Sequence, residues 1–265
     1  MKRYIQYGIL SVVLLFMYFP ILLLVVYSFT DSTTIGAIRG FSFHNYVTLF
    51  TTKELLDMIA GTLLLALISA LIATVLGTVG AIGSFYSKKK VRIFLDGINQ
   101  VPIINADVVT GFSICVLLII VFGMNKNSFI PLVVGHVTLC APFVYTSVMP
   151  KLKQLDNSLY EAALDLGCTP KEALIKIIIP QIVPGIFSGF VLAVTLSLDD
   201  YFITTYTKPA TFDTISTYVV NATRGAQTNI KTALWALSTL IFLVVIAAVC
   251  FMNFHNKRGE ELDNR

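Results

Sequence analysis

The sequence predicts an all-α membrane protein with six transmembrane helices. Three observations lead there: a composition too apolar for water, long charge-free stretches, and a lopsided distribution of basic residues. Of its 265 residues, 56% are hydrophobic and 13% are charged, and the mean hydropathy is +0.80. A soluble domain carries about a quarter charged residues, so part of this chain's solvent is lipid. Charge-free runs cover 4–30, 58–87, 127–150, 177–198 and 232–254, with lengths of 27, 30, 24, 22 and 23 residues. Each reaches the roughly 20 residues that carry a helix across about 30 Å of hydrocarbon. A sixth run, 97–125, is interrupted by Asp107 alone. The expected spans are about 7–29, 59–86, 97–122, 128–149, 183–203 and 232–254, within a single domain over 1–265.

Six crossings leave both termini on one side, and the basic residues choose it. With the N-terminus in the cytoplasm, the inner segments hold 13 of the 19 Lys and Arg residues, among them Lys88, Lys89, Lys90, Arg92, Lys151 and Lys153. The outer segments keep 6: Arg39, Lys53, Lys126, Lys208, Arg224 and Lys231. The positive-inside bias therefore places both ends in the cytoplasm of a prokaryotic inner or plasma membrane. The net charge of +4 follows from this bias. No basic stripe on a soluble fold asks for a nucleic acid. Lys2 and Arg3 before an apolar run also open a signal peptide, but this run is too long, contains Pro20 and lacks a small-residue cleavage pattern. The four cysteines, Cys115, Cys140, Cys168 and Cys250, have no C-x-x-C spacing and read as packing residues, with no metal site.

Between the first two expected spans, the outer segment 31–57 carries Phe41, Phe43, Tyr46 and Phe50. It reads equally as a lid on the outer face or as a docking surface. The short turn from Lys88 to Arg92 reads as an anchor against anionic headgroups, and the tail 256–265 as a disordered end.

The loop over 151–180 is the most informative segment. Ser158-Leu159-Tyr160-Glu161 fits a capping box, in which hydroxyl and carboxylate satisfy the first free amides of a helix. Leu159, Ala162, Ala163 and Leu166 then recur at i, i+3, i+4 and i+7 as one apolar stripe. Gly167 stands where a left-handed C-terminal cap is wanted. Thr169-Pro170-Lys171-Glu172 opens a second helix with an N-cap, a first-turn proline and a second capping box. Ala173, Leu174, Ile177 and Ile178 form its apolar face, and Pro180 is expected to end or kink it. The result is two short amphipathic helices with a glycine corner on the cytoplasmic face, whose stripe needs lipid, the chain's own helix ends or another protein.

Glu161-Ala162-Ala163, three residues, Gly167, nine residues and then Ile177-Ile178-Ile179-Pro180 resembles the EAA motif of ABC importer permeases. The departure is Ile179 where that family has leucine. The resemblance implies the type I, MetI-like permease fold, with 151–180 as a coupling loop that inserts into a cytoplasmic ATPase. Glu161 would face a basic residue of that ATPase, Ala162 and Ala163 would allow close approach, Gly167 would set the corner, and Ile177 and Pro180 would complete the motif. It also implies an ABC ATPase dimer, a second EAA-type permease subunit and an extracytoplasmic substrate-binding protein as partners, and no cofactor.

Further stretches are similar to PotC-type permeases, which serve spermidine and putrescine import: Pro102 with Asp107-Val108-Val109 and Gly111, His136 to Phe143, and Thr195 to Asp200. Permeases for iron, thiamine and phosphonates are near relatives. Ionisable residues inside a span are expensive and usually line a pathway. Asp107, Asp199 and Asp200, with Tyr201, Phe202 and Tyr206 following, have no basic residue at similar depth, which favours a cation such as a polyamine. Asp107, Asp199, Asp200 and Tyr201 are therefore the substrate-path candidates. Other roles stand beside this: Asp199 and Asp200 as a solvated helix end, Asp107 bonded to amides freed near Pro102, and His136 as an interhelical hydrogen-bond donor. The chain has no G-x-x-x-x-G-K-[ST] loop, so ATP hydrolysis is expected on separate chains and no enzymatic activity here. A self-sufficient secondary transporter is the competing class, and it leaves the EAA-like loop unexplained.

Overall fold

The apolar runs fold as the periodicity asks, and the polar breaks between them decide where each helix stops. The computed structural model describes residues 2–31, 40–156, 158–224, 233–243 and 246. In chain order the helices are α1 (Lys2–Ser28), α2 (His44–Thr51), α3 (Lys53–Phe85), α4 (Lys89–Ile104), α5 (Asp107–Cys115), α6 (Ile130–Gln154), α7 (Ser158–Asp165), α8 (Pro170–Ala173), α9 (Ile179–Asp199), α10 (Phe202–Thr207), α11 (Ile215–Arg224) and α12 (Ala233–Leu243). Wide π-helical turns, Val116–Val121 and Leu174–Ile178, extend α5 and join α8 to α9.

Four helices are individually long and apolar enough to cross a membrane: Gln6–Ser28, Lys53–Phe85, Ile130–Gln154 and Pro170–Asp199. The expected sixth span, 232–254, is described only at 233–243 and 246, while the tail 256–265 and residues 32–39 of the outer segment lie outside the described residues. Where one span is expected over 97–122, the chain instead forms two helices, α4 and α5, bent by 103° at Asn105–Ala106. Pro102 and the polar trio Asn105-Ala106-Asp107 explain the break. Proline removes a backbone donor, and Asp107 then starts a new helix in its favourable first turn.

The chain forms two compact units, Met1–Asp57 with Val219–Arg265, and Met58–Tyr218. In the first, the side-chain amide of Asn45 donates to the Ser28 and Thr30 carbonyls at 3.1 and 3.0 Å, closing the end of α1. Phe29, Phe41, Phe43 and Tyr46 cluster there, with Phe29 stacked on Phe41 at 5.7 Å. Tyr27 meets Trp235 of α12.

In the second unit α6 is the central post. Close helix approach in a membrane relies on small residues, and α6 is met by glycines from two sides. A Cβ on Gly77 of α3 would lie 2.7 Å from the Ala141 carbonyl oxygen and from Val144 Cβ. One on Gly189 of α9 would lie 3.1 Å from Val144 Cα. Val144, Val148, Leu152 and Ile182 are wholly enclosed as a result. α4 runs back along α6, with Asn99 donating to the Pro142 carbonyl at 3.3 Å and Tyr145 donating to Asp96. α5 and α6 together grip α10, because Ile203 fills the notches left by Gly111 and Gly135.

Candidate functional site

The motif residues occupy one end of the second unit, where α3 ends, α4 begins and the α6–α7 link turns. Asp156 makes that turn. Its carboxylate accepts the Ser158 backbone N–H at 2.9 Å, and these hydrogen bonds hold its carboxyl below the usual range. This corrects the expected first capping box: Ser158 is already the first residue of α7, because an aspartate two positions earlier reaches its amide. Glu161 is thereby released from the capping role. It stands exposed on α7, and its carboxylate has no hydrogen-bond partner among the described residues.

α7 ends as Gly167 predicts. Gly167 has φ +87°, its N–H donates to the Leu164 carbonyl at 2.9 Å, and the Cys168 N–H donates to Ala163 at 3.0 Å. These two bonds are the Schellman pair. The second capping box is present as expected: Thr169 Oγ1 accepts from the Glu172 N–H at 3.3 Å, and Glu172 Oε2 accepts from the Thr169 N–H at 3.0 Å. Pro180 does not end the second helix. The π-helical turn before it absorbs the missing amide donor, and one continuous helix runs Pro170–Asp199. The expected pair of short helices is thus one short helix and the head of a long one.

Ala163 and Ala173 turn inward, while Ala162 and Pro180 are exposed, Ile177 is half-buried, and Leu166 at the corner is 87% exposed. Beside the corner, Phe85, Tyr86, Arg92, Tyr160, Glu161 and Ile178 line a cavity of about 430 Å³. The Arg92 guanidinium lies over the Phe85 ring at 5.4 Å, a cation–π contact that sequence reasoning missed.

The acidic candidates lie at the other end of α9, roughly 30 Å from Ile179 at 1.5 Å per residue. Asp199 is the last helical residue and is exposed. Asp107 is exposed in the first turn of α5, one turn before the Gly111–Ile203 contact. Tyr201 is half-buried with its ring edge-on to Phe202 at 5.2 Å. Asp200 differs from its neighbour: it is 7% exposed and caps α10, accepting the Ile203 and Thr204 N–H groups at 3.2 and 2.7 Å. Asp107 thus stands on α5, Asp199 ends α9 and Tyr201 lies in the link to α10, while Asp200 is turned inward. His136 is fully buried between Ser197 and Thr204, 2.7 and 3.0 Å away, an interhelical hydrogen-bonding role as expected.

The sequence profile described as "binding-protein-dependent transport system inner membrane component" matches residues 73–259. The chain belongs to that family. Within it, the chain is 29% identical over 247 residues to the spermidine/putrescine transport system permease protein PotC of Escherichia coli K12, covering 93% of each. It is 32% identical over 236 residues to the putrescine transport system permease protein PotI of the same organism, covering 85% of this chain and 81% of the relative. Its fold is also that of a subunit in a bacterial ABC transporter that imports the polysaccharide alginate, with TM-score 0.75, 21% identity and 96% of each chain covered. This member of the inner-membrane family therefore has the all-α, multi-pass ABC permease fold that the EAA resemblance implied.

Proposed function

We propose that this chain is the membrane-spanning subunit of an ABC importer that moves polyamines, with ATP hydrolysed by a separate ATPase dimer. A second EAA-type permease would complete the pathway, and an extracytoplasmic binding protein would deliver spermidine or putrescine. The observation that carries the reading is the α7–α8 corner. A Schellman turn holds Glu161, Ala162 and the protruding Leu166 outward on one fixed bend, the form of a knob for a protein cleft. The polyamine assignment draws on the two named relatives and on exposed Asp107 and Asp199.

The two adjacent aspartates should separate in experiment. Asp199→Asn keeps shape and removes charge at an exposed helix end. Uptake of labelled spermidine should fall about tenfold, an ion-pair-sized loss at roughly 1.4 kcal/mol, with thermal stability unchanged. Asp200→Asn weakens a buried cap, so it should destabilise the purified complex by about 1 kcal/mol. Uptake at the parental rate by Asp199→Asn, with equal complex in the membrane, would remove the support that this carboxylate gives to a cationic substrate.

In the proposed orientation the end bearing Lys88, Lys89, Lys90 and the 151–180 loop faces the cytoplasm. Cysteines introduced as Ser87→Cys and Thr169→Cys should resist an impermeant thiol reagent in intact cells and react once membranes are opened. Ready labelling from outside would invert the topology.

A further inference from the structure

The helical path breaks between α9 and α10 without a proline or glycine at the break, so something else must hold the turn. Asp200 leaves the helical path there, at φ −66° and ψ 127°, and Tyr201 opens α10. Three elements meet behind the elbow. His136 comes from α6, Ser197 from the last turn of α9 and Thr204 from α10, and none of the three exposes more than 2% of its surface. Ser216 closes the far side, its hydroxyl donating to the Asp200 carbonyl at 2.7 Å.

The proton positions follow from the donor inventory. A carboxylate only accepts, so the Thr204 hydroxyl donates to Asp200 Oδ2 at 2.7 Å. Its oxygen then accepts from His136 Nε2–H at 3.0 Å. In the neutral ring His136 Nδ1 then accepts from the Ser197 hydroxyl at 2.7 Å. One neutral tautomer satisfies every bond in the chain Ser197 to His136 to Thr204 to Asp200. A buried network of this kind fixes geometry because any displacement leaves a polar group unpaired. The residue it holds in place at the surface is Asp199, immediately before the bend.

We propose that His136 is a positioning residue that sets the α9–α10 elbow, and through it the placement of the Asp199 carboxylate on the substrate path. The transport arm of this proposal rests on the polyamine reading; the geometric arm does not. His136→Leu fills the space and deletes both bonds. His136→Gln offers an amide acceptor and donor at a separation close to that of the two ring nitrogens. Ser197→Ala removes one bond only and serves if His136→Leu assembles poorly.

Kinetics of labelled putrescine and spermidine uptake, per amount of assembled complex, supply the first test. His136→Leu should raise KM about tenfold with maximal rate retained, a loss on the scale of one to two buried hydrogen bonds. His136→Gln should recover most of it. Combined with Asp199→Asn, His136→Leu should add nothing further, since both act through one carboxylate. An unchanged KM, or effects that multiply in the double variant, overturns the proposal, because a merely structural histidine would lower complex amount or act independently of Asp199. The second test needs no substrate. In a background without native cysteines, Asp199→Cys should react with a charged thiol reagent at a rate that changes severalfold when His136→Leu is added. Equal rates overturn the positioning role, even if the complex proves not to transport polyamines. A changed rate with no polyamine uptake by the parent sinks the substrate reading and leaves the elbow intact.

Discussion

Gly167→Val is expected to abolish transport while leaving the protein inserted and folded. Gly167 sits at φ +87°, where a β-branched residue is strained by about 1–3 kcal/mol. A Cβ there would meet no atom within 4 Å, so the penalty is purely one of backbone conformation and stays local. The strain is relieved when the Schellman bonds from Gly167 and Cys168 to Leu164 and Ala163 break, and the bend between α7 and α8 then opens. A bend that no longer presents Glu161 and Leu166 in register should lose association with the proposed ATPase. The check is copurification with that ATPase, together with uptake per assembled complex. Gly167→Asn should be milder, since asparagine tolerates the left-handed region better than other residues. Normal uptake by the valine variant would remove the main support for a coupling role.

The second large effect is expected at Gly77→Val, and it is one of assembly. Its Cβ would already crowd the Ala141 carbonyl oxygen at 2.7 Å, a backbone atom that cannot swing away. Separating α3 from α6 would open contacts around Val144, so the cost should approach ~3 kcal/mol, the upper part of the overpacking range. Little monodisperse protein should survive extraction in mild detergent, and its thermal midpoint should drop by several degrees. Gly83→Ala on the same helix is the control. No atom lies within 4 Å of its Cβ, and alanine is the better helix former, so this variant should match or exceed the parent. Equal loss in both variants would show that the helix tolerates no substitution in general, rather than that Gly77 marks a close crossing.

What could be read from the sequence was what depends on near neighbours. Gly167, Thr169 and Glu172 act within five residues of themselves, so spacing alone gave the left-handed cap and the second capping box. Competition between equally local options was harder. Asp156 and Ser158 both suit the start of α7, and the aspartate wins by accepting the Ser158 amide. Pro180 obeys its rule only partly, because a π-helical turn can take up one missing donor without stopping the helix. The break at Asn105–Ala106 was hidden because a lone Asp107 in an apolar run reads as a buried polar group as readily as a helix start. The two aspartates at 199 and 200 look alike in sequence and part company in space, since only the second meets amides of α10. His136 finds Ser197 and Thr204 across 61 and 68 residues of chain, a separation at which no periodicity speaks.

The unbroken helix from Pro170 to Asp199 has a mechanical meaning. It is a lever about 45 Å long at 1.5 Å per residue, and its π-helical turn, Pro180 and Pro184 all lie in the first half, so that 185–199 forms a plain α-helical shaft. The azimuth of Asp199 is therefore geared to the face that Gly189 lays against α6. Inserting or deleting one residue between Gly189 and Asp199 would turn one end of that shaft against the other by about 100°, the twist of a single α-helical step. Substitutions along the shaft can be absorbed by repacking, but a change in its length cannot, so this stretch should tolerate variation in sequence and hold its residue count fixed.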